Sequence, residues 1–144
     1  MPIEFYRERD APYGCFSNFS KHGFTIGDRH WPTVEHYFQA QKFPGMPQEE
    51  VIRLAPDPMT AKNMGNERTI PIRPDWEAVK DDVMRQAVRA KFDQHPDIRA
   101  VLLGTGSETL IEAARNDNYW GSGPDGTGKN RLGKVLMEIR DELR

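Results

Sequence analysis

Glu35, Gln39 and Lys42 stand at i, i+4 and i+7, a spacing that puts three side chains on one face of an α-helix. Seven residues rise about 10 Å, so a sugar-sized ligand fits between the end groups. A carboxylate and an amine facing one gap can act as base, electrostatic stabiliser or nucleophile. Spacing alone favours a solvated helix face, because charged residues usually face water. The surrounding aromatics, Trp31, Tyr37, Phe38 and Phe43, argue the other way, since they leave little purely polar surface.

Lys80 sits one turn after Trp76 and one turn before Met84, inside an apolar stripe. Two readings stand: a lysine whose stem packs while its amine reaches water, or a cation at a pocket rim that meets a phosphate. Asn116-Asp117-Asn118-Tyr119-Trp120-Gly121 offers a carboxylate and a flat indole on a loop. Asp117 can be an acceptor or base and Trp120 a stacking face, or the pair can be a capping Asp beside a buried Trp. Gly123 to Asn130 spells G-x-x-x-x-G-K followed by Asn. A phosphate-binding P-loop needs a Ser or Thr hydroxyl there for magnesium and a buried strand before it. Both are missing, so a P-loop NTPase is excluded. Backbone N–H groups before a helix can still hold a phosphate. His22, His30, His36 and His95 lack metal-ligand spacing, and Cys15 has no activating neighbour.

The elements that must position these groups follow from periodicity and punctuation. Short strands are expected at Ile3–Tyr6, Phe24–Ile26 and Thr109–Ala113. Tyr13–Phe24 reads as a loop packed on the body. Helices are expected from Thr33 (a cap) to Phe43, Gln48 to Leu54, Thr60 to Met64, Asp75 to Phe92, Pro96 to Gly104 and Asn130 to Leu143. The fourth carries the inner stripe Trp76, Val79, Val83, Met84, Ala87 and Ala90. The last turns Leu132, Val135, Leu136, Ile139 and Leu143 inward. The sum is an α+β domain, mostly helical with a few short strands, and the 144 residues form one domain, 1–144.

With 37% hydrophobic and 29% charged residues, the composition is that of a soluble globular chain. A net charge of −2 gives no global basic field for long nucleic acid, although a small anion needs only local positive charge. One cysteine permits no internal disulfide and suits the cytoplasm. No signal peptide or membrane-spanning run is expected.

Taken together, the motifs resemble the YbiA-like (NADAR) family of N-glycosidases. Cys15-Phe16-Ser17-Asn18-Phe19 resembles its early S-N-F signature. Trp31-Pro32-Thr33-Val34-Glu35-His36-Tyr37-Phe38-Gln39-Ala40-Gln41-Lys42-Phe43 resembles its most diagnostic motif. Trp76, Lys80, Met84 and Lys91-Phe92 are similar to its central helix. Leu103 to Gly106, Leu110 to Ala113, Asp117 and Trp120-Gly121 are similar to its later block, and Asn130 to Gly133 and Leu136-Met137 to its closing helix. Met64-Gly65-Asn66 departs from the family's Met-Gly-Arg, an arginine suited to phosphate; Arg68 stands nearby in another register.

The resemblance implies hydrolysis of a ribosyl C–N bond. The expected substrates are early riboflavin-pathway intermediates, ribosylaminopyrimidine 5'-phosphates, cleaved to ribose 5-phosphate and a free pyrimidine. The alternatives are removal of ADP-ribose from guanine in nucleic acid, or a non-catalytic ADP-ribose or nucleotide-binding module. Such cleavage builds an oxocarbenium-like charge on the sugar. Glu35 would stabilise it, Lys42 would attack C1 as an amine, and Asp117 would position water or a sugar hydroxyl. Trp31, Trp76 and Trp120 would stack on the base. Lys80 and the loop before Asn130 would receive the phosphate. Asn18, Phe19, Gln39 and Gly121 complete the binding set. No metal or organic cofactor is needed, the partner is the phosphorylated N-riboside, and Trp120 is expected within reach of Glu35 and Lys42.

Overall fold

The four strands form two separate two-stranded sheets, and six helices account for most of the regular secondary structure. The structure is a computed structural model that describes residues 1–144. The fold is α+β and mostly helical, as the periodicity predicts. Two compact units divide the chain: 1–20 with 92–144, and 21–91.

In the first unit, β1 (Ile3–Phe5) pairs in parallel with β4 (Leu110–Glu112), Ile3 opposite Leu110 and Phe5 opposite Glu112. The expected loop after Tyr13 opens as a 3₁₀ helix, Tyr13–Phe16. It delivers the buried Phe16 ring to the edge of Phe5, 5.7 Å between centroids, and towards Phe92. Helix α5 (Pro96–Gly104) starts on proline, whose missing N–H costs nothing at that position. Helix α6 (Arg131–Leu143) buries Leu132, Val135, Leu136 and Ile139. It lies so close to β4 that a Cβ on Gly133 would stand 2.1 Å from the Leu110 carbonyl oxygen.

In the second unit, β2 (Phe24–Ile26) and β3 (Arg29–Trp31) form an antiparallel hairpin. Gly27 turns it at φ +63°, a value that favours glycine. Helix α1 (Val34–Ala40) follows, with all seven residues buried. The Thr33 hydroxyl accepts from the His36 N–H at 3.1 Å, the predicted cap. The His36 ring bridges the Thr33 hydroxyl, 2.8 Å away, and the Ala55 carbonyl, 3.0 Å away. Beneath α1, Tyr37 meets Trp31 edge to face at 5.0 Å and donates from its hydroxyl to Gln86 at 3.0 Å. Helices α2 (Pro47–Arg53) and α3 (Pro58–Asn66) pack on α1. Helix α4 (Trp76–Gln94) buries Trp76, Val83, Met84, Ala87 and Val88; Val79 and Ala90 lie half-buried. No helix is long and apolar enough to cross a membrane.

Strand β3 was not expected, most other boundaries shift by one or two residues, and two helix ends differ for a visible reason. Helix α1 ends at Ala40 rather than Phe43: Lys42 and Phe43 donate three residues back, to Gln39 and Ala40. The chain tightens because Pro44 follows and disfavours helical backbone just before it. Helix α3 runs through Gly65 instead of ending there.

Candidate active site

Glu35 occupies the first turn of α1, yet only 7% of it is exposed. A buried carboxylate needs partners, and Gln39, one turn on, donates from Nε2 to Glu35 Oε2 at 2.7 Å. The other end of that amide, Gln39 Oε1, is buried with no hydrogen-bond partner. It lies against α3, where a Cβ on Gly65 would stand 2.0 Å from it. Glycine at 65 is therefore what lets Gln39 reach Glu35.

The Gly65 carbonyl has a second role. It accepts from Lys42 Nζ at 3.2 Å and from Arg68 Nη1 at 2.7 Å. Lys42 Nζ also donates to Asn66 Oδ1 at 3.2 Å and stands over the Trp76 ring, 5.8 Å from its centroid. Only 4% of Lys42 is exposed. Burial, then the Arg68 charge, lowers its pKa to about 8; Glu35 and Glu77 oppose the shift and Lys80 adds to it. At neutral pH about a tenth of such an amine is unprotonated, enough for nucleophilic chemistry.

The second unit thus brings together Glu35, Gln39, Lys42, Trp76 and Lys80. Lys80 lies largely covered on α4 and pairs with Glu77 at 2.6 Å, combining the packed stem and the cationic tip. Trp76 lies edge-on to Phe38, 5.0 Å between centroids. Trp31 is only 2% exposed, so it supports Tyr37 from the core and presents no open stacking face.

Asn18, Phe19, Asp117, Trp120, Gly121 and Asn130 belong to the first unit. Asn18 is buried, with Oδ1 unpartnered, and Phe19 is half-buried. Asp117 Oδ1 accepts from the Tyr119 and Trp120 N–H groups, 2.9 and 2.8 Å away, so one carboxylate oxygen shapes the turn. Trp120 is half-buried and edge-on to Tyr119. Gly121 allows close packing, since a Cβ there would come within 2.7 Å of the Ala114 Cβ.

The glycine-rich loop corrects an expectation. The N–H groups of Lys129, Asn130, Arg131 and Leu132 donate to the carbonyls of Asn118, Gly121, Tyr119 and Trp120, and that of Gly128 to Ser122. The N–H groups of Gly128 to Leu132, those nearest the start of α6, are therefore not free to cradle a phosphate. Asn130 is structural too: at φ 51° it donates to the Leu110 carbonyl and accepts from the Glu112 N–H, both at 2.9 Å, tying α6 to β4.

Sequence reasoning missed Gly65 and Asn66 as site residues. Gly65 reads as a helix stop, and only its packing reveals the reason for a missing side chain. The change from arginine at 66 was the signal available.

The NADAR domain model matches residues 4–144. N-glycosidase YbiA of Escherichia coli K12 is 51% identical over 141 residues, which cover 98% of this chain and 88% of that protein. The riboflavin biosynthesis protein VVA0006 of Vibrio vulnificus is 40% identical over 144 residues, covering 100% of this chain and 39% of that longer protein. The NMR structure of E. coli YbiA is 50% identical and superposes with a TM-score of 0.91, covering 99% of this chain and 84% of that one. Matched along nearly its whole length in both sequence and fold, the chain belongs to the NADAR family.

Proposed function

We propose that this chain is an N-glycosidase acting on ribosylaminopyrimidine 5'-phosphates, the early riboflavin-pathway intermediates, and releasing ribose 5-phosphate and a free pyrimidine. The observation that carries the reading is a buried carboxylate, Glu35, electrostatically coupled to a buried lysine whose pKa falls to about 8. Relatives named N-glycosidase and riboflavin biosynthesis protein support the bond and the substrate class.

Cleavage of the ribosyl C–N bond leaves its electron pair on the base nitrogen, which takes up a proton as it departs. Positive charge then develops on the sugar, where the Glu35 carboxylate stabilises it. Neutral Lys42 adds its lone pair to C1. Loss of the amine proton to the ring oxygen opens the sugar to an imine, and water hydrolyses the imine to ribose 5-phosphate and free Lys42.

The test is to incubate the pure protein with the riboflavin intermediates and with ADP-ribosylated guanine side by side, following release of the sugar. Turnover of the first at the higher kcat/KM is expected. Preference for the second reassigns the substrate, and no turnover of either leaves a binding module. Glu35→Gln should lower kcat about 10²–10³-fold, the typical cost of one electrostatic element, with an unchanged circular dichroism spectrum.

A further inference from the structure

We infer that Asn66 is a positioning residue for the Lys42 amine, acting with the Gly65 carbonyl to aim its lone pair. The inference rests on the proposed role of Lys42 as the attacking amine.

A neutral lysine amine has two N–H bonds and one lone pair, in tetrahedral arrangement. Lys42 Nζ faces two acceptors, Gly65 O and Asn66 Oδ1, each at 3.2 Å. When both N–H bonds point at them, the lone pair must take the remaining direction. The amine is then oriented before any substrate arrives, which removes an entropic cost from the attack. Both acceptors sit on adjacent residues at the end of α3, so one rigid element sets the pair of angles. The Gly65 carbonyl is shared with Arg68 and fixed by the helix, which leaves Asn66 as the adjustable acceptor.

The side-chain type also matters. Asn66 accepts a hydrogen bond without bringing a negative charge. The charged groups that act on Lys42 are Arg68 beside α3, Glu35 on α1, and Glu77 and Lys80 on α4. Two are cations and two are anions. A carboxylate in place of the Asn66 amide would tip this balance towards the protonated, unreactive amine. An amide at this position orients Lys42 and leaves burial and Arg68 to keep its proton labile.

The experiment uses Asn66→Asp and Asn66→Ala in the full chain. The first readout is the pH midpoint for acetylation of Lys42 by trace acetic anhydride without substrate, located by peptide mass spectrometry. The second is the pH dependence of kcat. Asn66→Asp should move the acetylation midpoint up by about one unit or more, the effect of an opposite charge within hydrogen-bond distance, and carry the acid limb of kcat with it. Asn66→Ala should give no upward shift but lower kcat about tenfold at unchanged KM. An unshifted acetylation midpoint in Asn66→Asp, or wild-type kcat in Asn66→Ala with turnover still dependent on Lys42, overturns the inference. A shifted acetylation midpoint with an unshifted kcat limb upholds the hold of Asn66 on the amine and instead refutes Lys42 as the attacking group.

Discussion

Lys42 should make the protein less stable than it could be, and Lys42→Met tests this directly. The lowering of its pKa from 10.5 to about 8 means that the fold disfavours the protonated amine, relative to the neutral one, by about 3 kcal/mol. Methionine keeps an unbranched stem and removes the charge. Against that gain stand the two hydrogen bonds to Gly65 and Asn66, together about 1–3 kcal/mol; the contact with the Trp76 ring acts on the protonated amine and is already part of its lowered pKa. The variant should therefore be up to about 2 kcal/mol more stable at pH 7, with Tm raised by up to about 8 °C for a chain of this size. The sign with pH follows from proton counting. Between about 8 and 10.5 the unfolded lysine keeps its proton while the folded one has released it, so wild-type stability rises with pH across that window. Lysine's contribution is fully present above the window and lost as pH falls through about 8. Comparing the two proteins cancels the groups remote from Lys42, so their difference reports on Lys42 and the charges coupled to it. Urea unfolding at pH 7, 8, 9 and 10 should show the advantage of Lys42→Met shrinking and then reversing. A variant less stable than wild type at pH 7, with parallel pH curves, would refute the burial argument.

Borohydride added during turnover should trap a sugar adduct on Lys42 and none on Lys80, since Lys80 is held by Glu77 at 2.6 Å; peptide mass spectrometry locates the adduct, and one on Lys80 sinks the assignment. Gly65→Ala should displace Gln39 from Glu35, because the new Cβ would meet Gln39 Oε1 at 2.0 Å; kcat should fall at least tenfold with destabilisation of about 1–3 kcal/mol, and wild-type kinetics would show that Gln39 has no positioning role. Asn130→Ala should cost about 2–4 kcal/mol in urea unfolding, from two lost bonds to β4 and a left-handed backbone that alanine resists; a loss confined to KM for a phosphorylated substrate would instead restore its role as a phosphate ligand.

What was legible in the sequence is what local rules decide. Thr33 before an aromatic, amphipathic run marks the start of α1, and the i, i+4 spacing alone pairs Glu35 with Gln39. Lys42 was readable as a neighbour of Glu35, but not as a residue beyond the helix end held by α3. The glycine-rich loop misled for a physical reason: free N–H groups before a helix are a local feature, whereas their occupation by carbonyls of Asn118 to Ser122 is a tertiary one. Asp117 shows the same limit, since its spacing from Trp120 fits a base and a turn-forming acceptor equally, and the structure shows the turn.

The proposed chemistry asks for an ionised carboxylate and a neutral amine near each other, the opposite of what their mutual attraction favours. Glu35 does pull towards a protonated Lys42, and Glu77 pulls with it. The fold answers with separate partners for each group. Gln39 occupies one oxygen of Glu35 with a neutral donor, so that oxygen has no need of Lys42. The Gly65 carbonyl and the Asn66 amide occupy the amine with neutral acceptors. Burial and Arg68 then decide the proton, because they outweigh the two carboxylates. Gly65 joins the two halves of this arrangement. Its missing Cβ admits Gln39 on one side, and its carbonyl holds Lys42 on the other. A single residue with no side chain thereby sets both the orientation of the carboxylate and the orientation of the amine.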